Sequence, residues 1–285
     1  MSVLIAGCGD LGTETGLRFA RAGHRVIGWR RSPQKLPPRI EGVEADLTAE
    51  LPAIPRDVDT VVITASASSR EREAYRAGYV GGAEKIIGAL ERDEVAPRRV
   101  LYVSSTAVYG EANGGLVDET TDPAPRTWRG EIQLEAEELL ARGLAATGTG
   151  FTALRLGGIY GPGRTMLIDR VASRRAVLPD EPRYTNRIHR DDAAQAIVHL
   201  TTRVPDPAPL YLGVDTEPAE LGDVLRFLAQ ELGVPTPPTG DVPMASGGSK
   251  RCSNAALLGT GFTFAFPTYR EGYRAVLSGE GARHP

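Results

Sequence analysis

The sequence predicts an α/β fold: a doubly wound parallel sheet with a small C-terminal lobe. Three observations predict it. An apolar run, Ser2–Ala6, passes directly into the glycine turn Gly7-Cys8-Gly9-Asp10-Leu11-Gly12 and then into a helical pattern. From there to residue 156, short β-branched runs alternate with amphipathic stretches, the rhythm of βαβ crossovers in a parallel sheet covered on both faces. After Leu156 the alternation lapses and fewer strands follow, the pattern of a lobe set on that sheet.

The elements follow in order. Ser2–Ala6 is a buried first strand, and Asp10–Ala22 spaces Leu11, Thr15, Phe19 and Ala22 at helical intervals. His24–Trp29, Gly42–Ala45 and Asp57–Thr64 are the next three strands, and Glu71–Arg92 a long helix. Arg99–Ser104 is the fifth strand, Thr127–Thr147 a helix and Phe151–Leu156 the sixth strand. Beyond glycine-rich Gly157–Gly163, Met166–Ala176 is a helix. So is Asp191–Thr202, whose opening acids suit the helix dipole. Leu210–Val214 is a strand, Leu221–Leu232 a helix, Pro235–Gly248 an exposed Pro/Gly-rich loop and Pro267–Leu277 the last helix. Gly279–Pro285 is expected to fray. The sheet portion spans 1–156, and the lobe, with returning sheet elements, 157–285.

The 285 residues suffice for a large core, and 41% hydrophobic with 24% charged content is the balance of a soluble globular protein. A net charge of -3, without charge blocks, points to no nucleic-acid or membrane partner. No apolar run approaches the roughly 20 residues of a membrane span, and no signal peptide is visible. Two cysteines, Cys8 and Cys252, make neither a disulfide framework nor a metal site, so a cytoplasmic location without metal is expected. The partner expected is a small molecule; the oligomeric state stays open.

Glycines spaced as Gly7, Gly9 and Gly12, after a strand and opening a helix, are the fingerprint of a Rossmann-type dinucleotide site. Gly7 permits the tight turn, Gly9 lets backbone approach the pyrophosphate, and Gly12 allows helix and strand to pack closely, with Asp10 and Leu11 between them. The helix N-terminus faces the phosphates. An NAD site calls for Asp or Glu at the end of the second strand. This strand ends in Arg30-Arg31, whose guanidiniums suit the 2′-phosphate of NADP(H) over NAD(H). Asp46 and Leu47 are candidates to flank the adenine. Thr64, Ala65 and Ser66, with Ser104 and Gly158, are candidates beside the rest of the cofactor.

Taken with VSSTAVYG at 103–110, LRLGGIYGPGR at 154–164, NRIHRDDAA at 186–194 and YREGYRAVL at 269–277, the glycine turn resembles the short-chain dehydrogenase/reductase superfamily, in its extended, epimerase/dehydratase-like and atypical branches. The resemblance covers nearly the whole chain. It implies a Rossmann fold, an NAD(P) site and a C-terminal lobe that selects the substrate; many extended members act on nucleotide sugars. It also places Ser105, four residues before Tyr109, where the family keeps a hydroxyl for the substrate oxygen.

The family's catalytic Tyr and Lys, four residues apart on a helix, are missing. Their places hold Arg129 and Gln133, and no Tyr in the chain has a Lys four residues on. A nearby ammonium lets a phenol exchange protons near neutral pH. Gln133 is uncharged but is able to hydrogen-bond the nicotinamide ribose, and Arg129 suits an anionic or carbonyl group better than proton transfer. Ser105, Arg129 and Gln133 are thus the catalytic candidates. Tyr160, Arg164, Arg187 and His189 are the substrate candidates, His189 having the alternative of ordering the loop before the 191–202 helix. Two further departures are Ala6, where extended members have a first glycine, and Thr185, where an Arg helps hold a nucleotide-sugar diphosphate. The leading reading is an NADP-dependent oxidoreductase or epimerase acting on a small carbonyl or hydroxyl compound. A non-catalytic NADP-binding redox sensor and a non-redox isomerase are the alternatives.

Overall fold

The computed structural model describes residues 1–242 and 248–285. Seven strands form one sheet: β1 (Ser2–Ala6), β2 (Arg25–Arg30), β3 (Glu41–Glu44), β4 (Val58–Ile63), β5 (Arg99–Ser105), β6 (Gly150–Leu156) and β7 (Leu210–Gly213). Their order is β7-β6-β5-β4-β1-β2-β3, and every pair is parallel. The order reverses beside β1, and in such sheets ligands bind outside the carboxyl ends of the strands at that switch point.

Strand side chains alternate between two buried faces. Leu4, Ala6, Val61, Ile63, Val100 and Tyr102 share one core with Ile86, Leu90, Ile132 and Leu140 of helices α3 (Gly82–Arg92) and α4 (Trp128–Leu144). Val3, Ile5, Val62, Leu101 and Leu154 share the other with Leu11 and Phe19 of α1 (Asp10–Arg21) and with Ala193 and Ile197 of α6 (Arg190–Thr202). Burial on both faces explains why these strands read as continuous apolar runs. Thr127 caps α4 by accepting from Gly130 N–H. A third core joins Ile168 and Val171 of α5 (Met166–Ala172), Val224 and Leu228 of α7 (Leu221–Glu231), and Tyr269 and Tyr273 of α9 (Tyr269–Leu277), which follows the short α8 (Ala255–Gly259). A capping box of Thr268 and Glu271 starts α9.

The structure departs from the sequence pattern in several places. The long helix expected over Glu71–Arg92 is α2 (Arg72–Arg76), a π-helical turn Ala77–Gly81, and then α3. Gly78, Gly81 and Gly82 weaken the helix there, and Gly78 comes so close to the backbone at Ser66 and Ala67 that a Cβ would lie 3.3 Å from them. Helix α5 stops at Ala172, before Arg174 takes a positive φ of 57°. Within the expected 235–248 loop, Thr239–Gly240 pairs with Leu178–Pro179, while residues 243–247 lie outside the described residues.

The tail does not fray. His284 N–H donates to Asp10 Oδ1 (3.1 Å), His284 Nε2 meets Glu14 Oε2 (2.9 Å), and Arg190 Nη1 donates to the Ala282 carbonyl (2.7 Å). The chain end thus docks on α1, because buried acids there offer it partners. Among the described residues no helix is long and apolar enough to cross a membrane, and no cluster of metal-ligating side chains occurs.

Candidate functional site

Three connected cavities run along the carboxyl edge of the sheet. The central one, about 380 Å³, is lined by Gly7, Gly9, Asp10, Leu11 and Gly12 of the glycine turn, Thr64, Ala65 and Ser66 after β4, and Ser104 and Ser105 of β5. Beyond Gly9 a cavity of about 430 Å³ is lined by Arg30, Arg31, Asp46 and Leu47, with Ser32 and Lys35. Towards the lobe, one of about 490 Å³ takes in Ser105, Gly158, Tyr160, Arg164, Thr185, Arg187 and Lys250.

The glycines have separable reasons. Gly7 has φ +87°, and a Cβ on it would lie 2.9 Å from the Thr64 carbonyl. On Gly12 a Cβ would meet Thr64 Oγ1 at 2.8 Å and Ile5 Cγ2 at 3.1 Å, so this glycine lets α1 pack on the strands. On Gly9 it would find nothing nearer than 3.9 Å. The fold leaves Gly9 bare, as close approach of a pyrophosphate requires. Asp10 holds Arg164 Nε (2.9 Å) and Arg190 Nη1 (3.0 Å). Burial acts to raise its pKa, but bonds from Arg164, the His284 amide and Arg190 outweigh this and hold the carboxyl below its usual range. Its charge is thereby occupied by the chain, and the α1 N-terminus stays open to an anion.

At the far cavity Arg30 Nη1 is buried without a hydrogen-bond partner. Arg31 is exposed beside it, and Asp46 turns its carboxylate to Thr48 N–H (2.9 Å) and Thr48 Oγ1 (2.7 Å), which, ahead of burial, holds its pKa down. An unpaired buried guanidinium atom is costly unless a ligand satisfies it, so these residues suit an anionic or hydrogen-bond-accepting ligand group.

The catalytic candidates separate. Ser105 lies where the central and lobe cavities meet; its Oγ accepts from Ala107 N–H (3.2 Å). Ser104 lines the central cavity but commits its hydroxyl to Glu137. Glu137 in turn forms a buried pair with Arg155, whose Nη1 donates to Tyr109 Oη (2.6 Å). Gln133 is buried and reaches the central cavity, where Tyr102 Oη donates to its Oε1 (2.8 Å) and its Nε2 donates to Tyr75 Oη (3.2 Å). Arg129, by contrast, is not brought into the site. Its guanidinium lies 4.2 Å over the Trp128 ring and donates to the Arg70 carbonyl, because position 129 faces off the helix away from the cavity.

Two more expectations are corrected. Gly158, expected beside the cofactor, lines the lobe cavity, because its strand pairs Gly158–Tyr160 with Arg187–His189 and turns into the lobe; Gly157 lines the central one. His189 lines none of the three cavities. Its Nδ1 accepts from Asp191 N–H (3.2 Å) at the start of α6, and its ring packs against Tyr160 and Phe266. Burial pushes its pKa down to about 4, which keeps it neutral for that bond. It orders the loop before α6. Tyr160 and Arg187 do line the lobe cavity, and Tyr160 Oη and Arg187 Nη1 are both buried without partners.

Tyr75, Tyr79 and Lys250 were not singled out by the sequence. The two tyrosines line the central cavity from either side of the π-turn boundary, and Lys250, buried, donates to the Tyr109 carbonyl (2.7 Å) and lines the lobe cavity. Two tyrosines four apart ahead of a glycine pair were the available signal for the first two.

A glycine turn at a switch point, with room for an anion on α1, makes this a Rossmann-fold protein built for a nicotinamide dinucleotide. The chain belongs to the NAD dependent epimerase/dehydratase family, whose model matches residues 3–210. Protein YeeZ of Escherichia coli is 28% identical over 220 residues, 73% of this chain and 76% of YeeZ. A structure described as an NAD-dependent epimerase/dehydratase from Methylobacillus flagellatus is 36% identical, with TM-score 0.80 and 98% of each chain covered. The human epimerase family protein SDR39U1, solved with NADPH, shares the fold at 17% identity, with TM-score 0.80 over 98% of this chain and 99% of its own.

Proposed function

We propose that the chain is an NADP(H)-dependent oxidoreductase or epimerase acting on a small carbonyl or hydroxyl compound. The observation that carries the cofactor choice is the orphaned Nη1 of Arg30, in a cavity that also presents Arg31, Ser32 and Lys35. A ribose 2′-phosphate would accept charge-assisted bonds from such groups. Solved structures that share the fold hold NAD or NADPH, so the choice rests on these residues. When bound, the nicotinamide supplies or accepts a hydride; the glycine turn and α1 hold its pyrophosphate, and Ser105 orients the substrate oxygen beside it.

The lobe cavity suggests the rest of the substrate. Arg164, Arg187 and Lys250 line it; among the described residues no Asp or Glu does, and the buried Tyr160 Oη and Arg187 Nη1 lack partners. A compound with an anionic group near its carbonyl would satisfy them. Thr185 accepts from Arg187 Nη2 rather than leaving an arginine in its own place, so the nucleotide-sugar diphosphate contact expected of extended members is not reproduced at residue 185. The test is incubation with NADPH and a panel of neutral and acidic carbonyl compounds, following loss of the reduced cofactor's absorbance. Turnover confined to carboxylated or phosphorylated compounds supports the reading. Tight NADPH binding without turnover of any class contradicts it.

A further inference from the structure

We propose that Tyr75 is the proton-transfer residue of this site, presented from α2 in place of the family's missing helix α4 tyrosine and oriented by Gln133. The proposal rests on the oxidoreductase reading above. Of the groups at the central cavity, Ser104 has given its hydroxyl to Glu137. Ser105 is an aliphatic alcohol, suited to donate a hydrogen bond but not to surrender its proton. Of the phenols, Tyr79 packs 4.5 Å from Tyr75, and burial first, then its neighbour, push its ionisation up, so it stays protonated. Tyr102 is wholly buried, and burial holds it protonated too.

Tyr102 fixes a direction. Because it keeps its proton, it donates to Gln133, and the amide must present its oxygen on that side. The amide NH₂ therefore faces Tyr75, and Tyr75 Oη accepts (3.2 Å). Tyr75 also shares a side-chain hydrogen bond with Tyr79, which Gln133 bonds as well, and the space the Tyr75 ring borders is the central cavity. Tyr79 and Trp128, their ring centroids 4.5 Å and 5.4 Å away, brace that ring. The π turn that begins two residues after Tyr75 is a local irregularity of the type that recurs at functional sites.

The step balances. In reduction the substrate carbonyl carbon gains a hydride from the bound reduced cofactor, and its π pair moves to oxygen. The Tyr75 O–H bond breaks as a new O–H bond forms on that oxygen. The phenolate charge is shared by the Gln133 N–H, and Tyr75, half-buried, regains a proton from water. Oxidation runs the same transfer backwards.

The first test needs no substrate. In a crystal structure of the NADPH complex, Tyr75 Oη should lie within roughly 6 Å of nicotinamide C4, on the side where Ser105 stands, the span that a carbonyl between hydride donor and acid requires. A Tyr75 hydroxyl behind Gln133 or on the opposite ring face overturns the proposal while leaving the cofactor reading intact. Failure of NADPH to bind overturns both. On a carbonyl that the unaltered chain reduces, Tyr75→Phe should lower kcat by about 10²–10⁴-fold, with the NADPH Kd unchanged. Gln133→Met, which keeps the volume but not the orienting bond, should give a smaller fall. An unchanged kcat in Tyr75→Phe overturns the proposal.

Discussion

Replacing two glycines of the turn separates what the fold needs from what the cofactor needs. Gly9→Ala places a methyl where the nearest chain atom is 3.9 Å away, at an extended backbone with φ -85°. The folded state should tolerate it, and loss of glycine's freedom in the unfolded chain adds about 0.4–1 kcal/mol of stability. The same methyl stands where backbone would approach the pyrophosphate. Loss of one charge-assisted bond there costs about 1.5–3 kcal/mol, roughly a 10–150-fold rise in Kd. Gly12→Ala is the converse. Its methyl would press on Thr64 Oγ1 at 2.8 Å, Ile5 Cγ2 at 3.1 Å and the Gly7 carbonyl at 3.2 Å, so α1 must shift, at about 1–3 kcal/mol. Thermal unfolding of the free proteins and NADPH fluorescence titration read the two effects. Gly9→Ala should keep its Tm within a few degrees and lose affinity; Gly12→Ala should lose Tm, at about 2–4 °C per kcal/mol. A Gly9→Ala protein that binds NADPH normally, or unfolds as early as Gly12→Ala, refutes the division of roles.

The remaining predictions concern charge. Arg155→Met leaves the buried Glu137 carboxylate without its pair and Tyr109 without its donor, so urea unfolding should show a loss of about 3–5 kcal/mol. Arg129→Ala should leave NADPH affinity and any turnover unchanged, because that side chain lies against Trp128 and Arg70; a loss of turnover would bring it back into the site. Asp215 is buried and its pKa is raised by burial to about 7, so its folded form resists ionisation. The unfolded chain releases that proton from about pH 4, so this group costs stability as pH rises from about 4 to 7 and no more above that. Asp215→Asn should remove that part of the slope in stability measured against pH. His189 acts in the other direction: with its pKa pushed down by burial to about 4, its stabilising contribution is present above about pH 6.5 and is lost as pH falls towards 4. His189→Gln should flatten that acid limb.

The glycine turn was legible because its constraints are local: a positive φ at Gly7 and a bare Cα at Gly9. The central strands were legible because two-sided burial leaves apolar runs. What was not legible depends on partners far along the chain. The tail looked free because nothing near Gly279–Pro285 holds it, yet Glu14, 270 residues before His284, does. Gln133 looked like a weak remnant of a lysine until Tyr102 and Tyr75, from β5 and α2, closed on its amide. The break in the 71–92 helix came from close backbone packing at Gly78, which helical periodicity does not register. Position 129 aligned with a catalytic place, but its direction off the helix is a tertiary fact.

Cofactor choice turns on the 2′-phosphate. The most direct measurement is the pair of dissociation constants for NADPH and NADH, by fluorescence titration of the unaltered chain and of Arg30→Met. The unaltered chain should prefer NADPH by about tenfold or more, from bonds to charged groups worth about 1.5–3 kcal/mol. Arg30→Met should weaken NADPH binding by a similar factor while leaving NADH unchanged. Equal affinities in the unaltered chain, or an Arg30→Met change that weakens both cofactors alike, would contradict it.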